Sequence, residues 1–178
     1  FKYQCNGSNV MQVLFTNKSK YLGTATAYNW TWYDVTYATT LSTNPFPPAI
    51  TLAAGTHVIN LSVFDPVTGA SCTITKTINV PVPIVASFTV SSPLCVGAPN
   101  AFTNTSVLLA NQSSMLFNNG NGGTGTSSPA SMPYASSGSF TATLSVTDIY
   151  GCTSNASQPV TVLPAGSGSI TVGALACD

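Results

Sequence analysis

The chain has 178 residues, 44% of them apolar, but only 4% carry charge: four Lys balance four Asp, with no Arg and no Glu, for zero net charge. Ordinary soluble domains are about a quarter charged, so solubility here rests on Ser, Thr and Asn, and the basic surface that phosphate backbones demand is missing. No apolar run reaches the roughly 20 residues that span a bilayer, so this segment is expected neither to bind nucleic acid nor to insert into a membrane.

Five Cys without a C-x-x-C pair, beside a single His, argue against a zinc centre and for disulfides, which persist in oxidising compartments. An extracellular protein is expected. The chain opens at Phe1 without an initiator Met or signal peptide and reads as a mature or excised segment.

Along the chain, short runs rich in Thr, Val, Ile and aromatics alternate with Gly, Pro, Asn and Ser, the pattern of half-buried strands and turns. Cys5, Gly7 and "FTNKS" (15–19) come first, then "YNWTWYD" (28–34), in which Tyr28, Trp30 and Trp32 share one face. In "GTHVINLSVFDPVTGASC" (55–72), His57, Ile59, Leu61 and Val63 share a face with mostly Ser, Thr or Asn between them. A short joint, "VPVP" (80–83), follows.

The chain then says the same thing again. Cys95, Gly97 and "FTNTS" (102–106) answer Cys5 and its strand at offsets of 90 and 87; "SMLFNNG" (114–120) answers the Trp strand at 85. "GSFTATLSVTDIYGC" (138–152) answers the long strand at 83, matching His57 with Phe140 and Asp65 with Asp148, and its Cys152 answers Cys72 at 80. After "LPAG" (163–166), "SITVGALACD" (169–178) echoes "SFTVSSPLCV" (87–96) and brings in Cys177. The expected domains are therefore 1–82, 83–164 and the start of a third copy, 165–178. Several strands per copy and no helical stretch imply an all-β chain of tandem, immunoglobulin-like antiparallel sandwiches.

These residues carry a resemblance. Both copies resemble PKD domains, the polycystic kidney disease repeats, which are immunoglobulin-like and common in secreted bacterial proteins. The likeness spans nearly the whole chain and rests on "F-T-N-x-S", the aromatic strand with its polar turn, "G-x-x-x-x-x-L-S-V-x-D", and the late Gly and Cys. The family's W-D-F-G-D-G stretch is only partly kept, as Trp30, Trp32 and Asp34 in the first copy and Phe117, Asn119 and Gly120 in the second. The Cys-bearing form resembles repeats of large bacterial surface proteins and adhesins, which implies a structural, non-catalytic and cofactor-free role.

Each copy has one Cys before its "F-T-N-x-S" strand and one after "L-S-V-x-D". Pairs Cys5–Cys72 and Cys95–Cys152 would staple the start of each copy to its last turn, with Cys177 left for a partner beyond Asp178. Cys72–Cys95, or free thiols, are the alternatives, since spacing alone does not fix connectivity. His57 reads as a core or strand-edge residue, and Asp65 and Asp148 as caps of the turns before the Cys. With one His and no Glu, neither a metal cluster nor a His-assisted nucleophile can be assembled.

Seven N-x-[ST] sequons, at Asn6, Asn17, Asn29, Asn60, Asn104, Asn111 and Asn155, are candidate glycan acceptors, although 14 Asn in a Ser/Thr-rich chain generate several by accident. Tyr33 and Tyr37 are candidate sugar-stacking residues, being the aromatics left off the core face. The function expected is a stalk or self-associating fibre of a secreted bacterial cell-surface protein. Its partners would be copies of itself and, secondly, surface glycans. The alternative is a spacer or carbohydrate-binding accessory module of a secreted polysaccharide hydrolase.

Overall fold

A computed structural model describes residues 1–7, 9–20 and 27–166. Cys177 and the end of the third copy lie outside the described residues. The chain divides into two compact units: Phe1–Val85 with Ser106–Ser114 and Val146–Ser154, and Ala86–Thr105 with Met115–Ser145 and the residues from Asn155 onward.

The first unit contains β1 (Lys2–Cys5), β2 (Met11–Leu14), β3 (Asn29–Asp34), β4 (Thr39–Ser42), β5 (Ile50–Thr51), β6 (Gly55–Phe64) and β7 (Ser71–Val80). They form two sheets, β1-β2-β5 and β4-β3-β6-β7. Every pairing in them is antiparallel. Alternation explains why they close on each other: Met11 and Val13 of the first sheet meet Trp32, Ile59, Ile78 and Val80 of the second, all at most 5% exposed. Burying side chains of this size stabilises by about 1.5–3 kcal/mol each. Phe15 packs against Trp32 with ring centroids 5.2 Å apart, and the Trp32 indole N–H donates to the Asn44 carbonyl at 3.0 Å.

The second unit draws on β8 (Phe88–Val90), β9 (Leu94–Cys95), β10 (Ala101–Asn104), β11 (Gln112–Asn118), β12 (Thr124–Gly125), β13 (Ala130–Ser131), β14 (Gly138–Asp148) and β15 (Thr153–Leu163). Its sheets are β13-β10-β8 and β12-β11-β14-β15-β9, with one parallel pairing, β9 against the end of β15. Along β14, Ala142 and Leu144 are fully buried while Thr141 and Thr143 face solvent. Phe117 contacts both Phe88 and Phe102, at 5.8 and 6.0 Å between rings. Gly120 has φ +77°, and a Cβ there would collide with the Thr141 carbonyl, so only Gly fits this turn. Each unit is an immunoglobulin-like β-sandwich, the fold class the strand patterns imply.

The cysteine pairing differs from the expected one. Cys5 is bonded to Cys152, Cα atoms 4.9 Å apart, while Cys72 and Cys95 are free thiols. The reason is strand geometry. The Tyr3 hydroxyl donates to the Asn79 carbonyl at 2.7 Å, which sets β1 beside the end of β7, whereas Cys72 sits near its start. Seven residues of strand at about 3.3 Å each separate those points by roughly 23 Å, far beyond the Cα separation of under about 7 Å that a disulfide tolerates. Cys95 likewise lies opposite Leu163, at the far end of β15 from Cys152.

Candidate functional site

Both closing turns are built by an aspartate. The Asp65 carboxylate accepts from the Val67 amide at 2.8 Å and the Thr68 hydroxyl at 2.7 Å; Asp148 accepts from the amides of Tyr150 at 2.9 Å and Cys152 at 2.8 Å. Gly69 and Gly151 complete these turns with φ of +73° and +83°, a left-handed backbone that Gly adopts without a steric penalty. The hydroxyl of Thr68, then the amide of Val67, pull the Asp65 carboxyl below its ordinary value of 3.8. Asp148 presents Cys152 to β1: the Cys5 amide donates to the Tyr150 carbonyl at 3.0 Å, and Tyr3 meets Tyr150 edge to face at 5.9 Å.

His57 lies on the inner face of β6 as the alternation implies, but it has a partner that the sequence did not single out. Its Nδ1 is 2.6 Å from Asp34 Oδ2, and its Nε2–H donates to the Ala53 carbonyl at 2.9 Å. The two side chains are 2% and 1% exposed. The other Asp34 oxygen accepts from the amides of Thr36 and Tyr37, at 3.0 and 3.4 Å. In the second copy Asn119 stands where Asp34 does, fully buried, accepting from the amides of Asn121 and Gly123, both at 2.8 Å, and Phe140 replaces His57. Acid and base in one copy thus become amide and hydrocarbon in the other. An offset comparison of the copies, 85 for one position and 83 for the other, held this signal.

The Tyr37 ring, 54% exposed, stacks 4.8 Å from the His57 ring. It stands at a hollow of about 320 Å³ that also takes in Thr39, Thr40, Leu41 and Thr51. Tyr33 is half-buried on β3 and does not line that hollow. Trp30 and Trp32 are core residues.

Of the sequons, Asn6, Asn29 and Asn155 are exposed, and Asn60 and Asn111 are half-buried. Asn17 and Asn104 are 5% and 8% exposed, and Asn17 is committed to the Pro45 carbonyl and to Ser19. A glycan on either would have to pull its amide out of the fold, which disfavours these two as acceptors. Among the described residues no three His, Cys, Asp or Glu side chains gather as a metal site.

Compared with protein-family models and with curated proteins, the chain matches none. Among solved structures it is similar to the PKD1 domain of Vibrio anguillarum Epp, at 25% identity and TM-score 0.40 over 44% of this chain and 92% of that one. It is similar to the PKD1 domain of the Vibrio cholerae metalloprotease PrtV, at 31% identity and TM-score 0.40, over 44% of this chain and 95% of that one. A third similarity is to Bacteroides ovatus SGBP-B, solved with a mixed-linkage heptasaccharide, at 16% identity and TM-score 0.28, over 78% of this chain and 38% of that one.

Proposed function

We propose that this chain is a structural and adhesive repeat segment of a secreted bacterial cell-surface protein, forming a stalk or a self-associating extracellular fibre. The observation that carries the reading is strand β7. It is the outer strand of its sheet, residues 71–77 are exposed on both faces, and Ile74 is 65% exposed. Lys76 is the one charge on it. Outer strands of solitary domains are normally guarded by several charges or a Pro, and a surface with so few ions has little like-charge repulsion to keep copies apart. The disulfide supports an oxidising, extracellular setting. The one acid–base pair, His57 with Asp34, is committed inside the core, which supports a non-catalytic role.

Light scattering across a dilution series, under non-reducing conditions with the free thiols blocked by iodoacetamide so that Cys5–Cys152 stays intact, tests the reading. The weight-average mass should rise with concentration, and Ile74→Lys should suppress the rise. A wild-type chain that stays monomeric throughout overturns it.

Exposed Tyr37 beside its Thr-lined hollow favours a second reading, a carbohydrate-binding or spacer module of a polysaccharide hydrolase. Binding to a panel of soluble glucans, lost in Tyr37→Ala, would move the assignment there; no binding removes it.

A further inference from the structure

We infer that Cys72 and Cys95 are the two halves of a second covalent staple, joined between two copies of this chain by the same bond that joins Cys5 to Cys152. The inference deepens the self-associating reading and rests on it. In the first copy of the repeat, Cys5 is the leading cysteine and Cys72 the closing one; in the second, Cys95 leads and Cys152 closes. The bond that exists runs from the leading cysteine of copy one to the closing cysteine of copy two. Closing the staple inside one copy is ruled out by strand length, as shown above. Among the described residues, what remains is one closing thiol, Cys72, and one leading thiol, Cys95. These are the same two kinds of cysteine that are bonded at Cys5–Cys152.

The local settings correspond at the leading cysteines and differ by a register step at the closing ones. Cys5 sits on a segment held beside the end of its long strand through Tyr3 and Asn79; Cys95 sits on β9, opposite Leu163 at the end of β15. At the closing turns, the Asp148 amide donates to the Cys152 carbonyl and the Asp65 amide to the Ala70 carbonyl. Ala70 is therefore the counterpart of Cys152, and Cys72 lies two residues further on. An even step keeps it on the same strand face, displaced by about 7 Å.

Exposure differs as the inference requires. Cys152 is fully buried under its partner, whereas Cys95 is half-buried and Cys72 is exposed at a hollow of about 250 Å³ lined by Tyr28, Trp30 and Val63 together with Ser19, Asp65 and Ser71. An exposed thiol beside the Tyr28, Trp30 and Val63 side chains offers an incoming strand apolar surface to cover.

The chemistry balances with a low-molecular-weight disulfide such as glutathione disulfide as oxidant. The Cys72 thiolate attacks one glutathione sulfur and expels glutathione thiolate. The Cys95 thiolate of the second copy then attacks the protein sulfur of that mixed disulfide and expels the second glutathione. Two protein thiols are oxidised, one glutathione disulfide is reduced, and two protons end on the released glutathiones or on solvent.

The test uses the whole chain with Cys177→Ser, so that this further thiol does not contribute. In a glutathione redox buffer, Cys72→Ser alone and Cys95→Ser alone should remain almost wholly monomeric on non-reducing gels. Their equimolar mixture should give a 1:1 heterodimer exceeding either homodimer by roughly tenfold. The chain with both thiols should form a ladder that collapses on reduction, and peptide mapping should recover Cys72–Cys95 beside intact Cys5–Cys152. A Cys5–Cys72 or Cys95–Cys152 peptide, homodimers equal to the heterodimer, or free thiols after oxidation with Cys5–Cys152 intact would each overturn the inference. Light scattering of the thiol-blocked chain, with Cys5–Cys152 intact, separates the two claims: mass that rises there while the unblocked chain yields no Cys72–Cys95 peptide sinks the staple and leaves self-association standing.

Discussion

Replacing His57 by Phe, the residue the second copy uses, removes one half of a buried pair and strands the other. Asp34 keeps the amides of Thr36 and Tyr37 on one oxygen, but Oδ2, which faced Nδ1 at 2.6 Å, is left in a position 1% exposed to solvent. Removing one partner of a buried pair typically costs about 3–5 kcal/mol, and the near-complete burial of both side chains puts His57→Phe in that range. The Ala53 carbonyl also loses its donor. Adding Asp34→Asn to the same chain takes away the stranded carboxyl and installs the residues the second copy carries at these positions, a buried Asn119 and a half-buried Phe140. The double variant should therefore recover about 2 kcal/mol or more relative to the sum of the singles, within the coupling range of contacting groups. Urea unfolding followed by tryptophan fluorescence is the assay, because Trp30 and Trp32, the chain's two tryptophans, both lie on β3 and report the first unit alone. Additive costs, to within about 0.5 kcal/mol, would show that the pair is not coupled and that its geometry contributes nothing specific.

Three further outcomes are expected. Cys152→Ser opens a loop of 147 residues, worth about 5 kcal/mol in the chain-entropy model, so the tryptophan-detected urea midpoint should fall; a midpoint unmoved by the substitution or by reductant refutes it. Asp65 titrates below its ordinary 3.8, so its contribution is present above that pH and fades as pH falls through the lower folded value; amide exchange at Val67 and Thr68 should quicken there in wild type, and no acceleration counts against the turn. Burial raises the Tyr3 phenol above 10.0, so stability should decline as pH climbs past 10.0 toward the folded value, and Tyr3→Phe should blunt the decline; an unchanged alkaline profile rejects it.

The strands were legible because burial on one face writes itself as alternation. Ala142 and Leu144 on β14, and His57 and Ile59 on β6, point inward where the period of two put them. Trp30 and Trp32 were legible as core for the same reason. Disulfide connectivity was not legible, since spacing says nothing about which end of a strand a neighbouring segment lies against. It becomes legible once Cys72 is seen to open the long strand whose other end holds β1. Asp34 was missed as the partner of His57 because the two lie 23 residues apart and meet only through the register of β3 on β6, where Asp34 faces Ile59. Asn17 and Asn104 carry sequons, yet each lies buried, and a sequon does not encode burial.

Staggered pairing has a mechanical consequence that pairing within a copy would lack. A bond between Cys5 and Cys72 would protect the first copy and leave the joint and the second copy to extend under load. The Cys5–Cys152 bond instead short-circuits 147 residues, so a pull applied on either side of it passes through the two sulfurs and bypasses strands β2 to β14, while β1 and β15, outside the loop, stay under load. At a fully extended length of about 3.3–3.6 Å per residue, roughly 500 Å of chain is withheld from stretching. Among the described residues the bond also leaves one leading thiol, Cys95, and one closing thiol, Cys72, unused, as the proposed connection between copies requires. The stalk proposed above would use both properties, resistance to a pull along its length and a joint that repeats, and neither requires a catalytic group, a metal or a charged face.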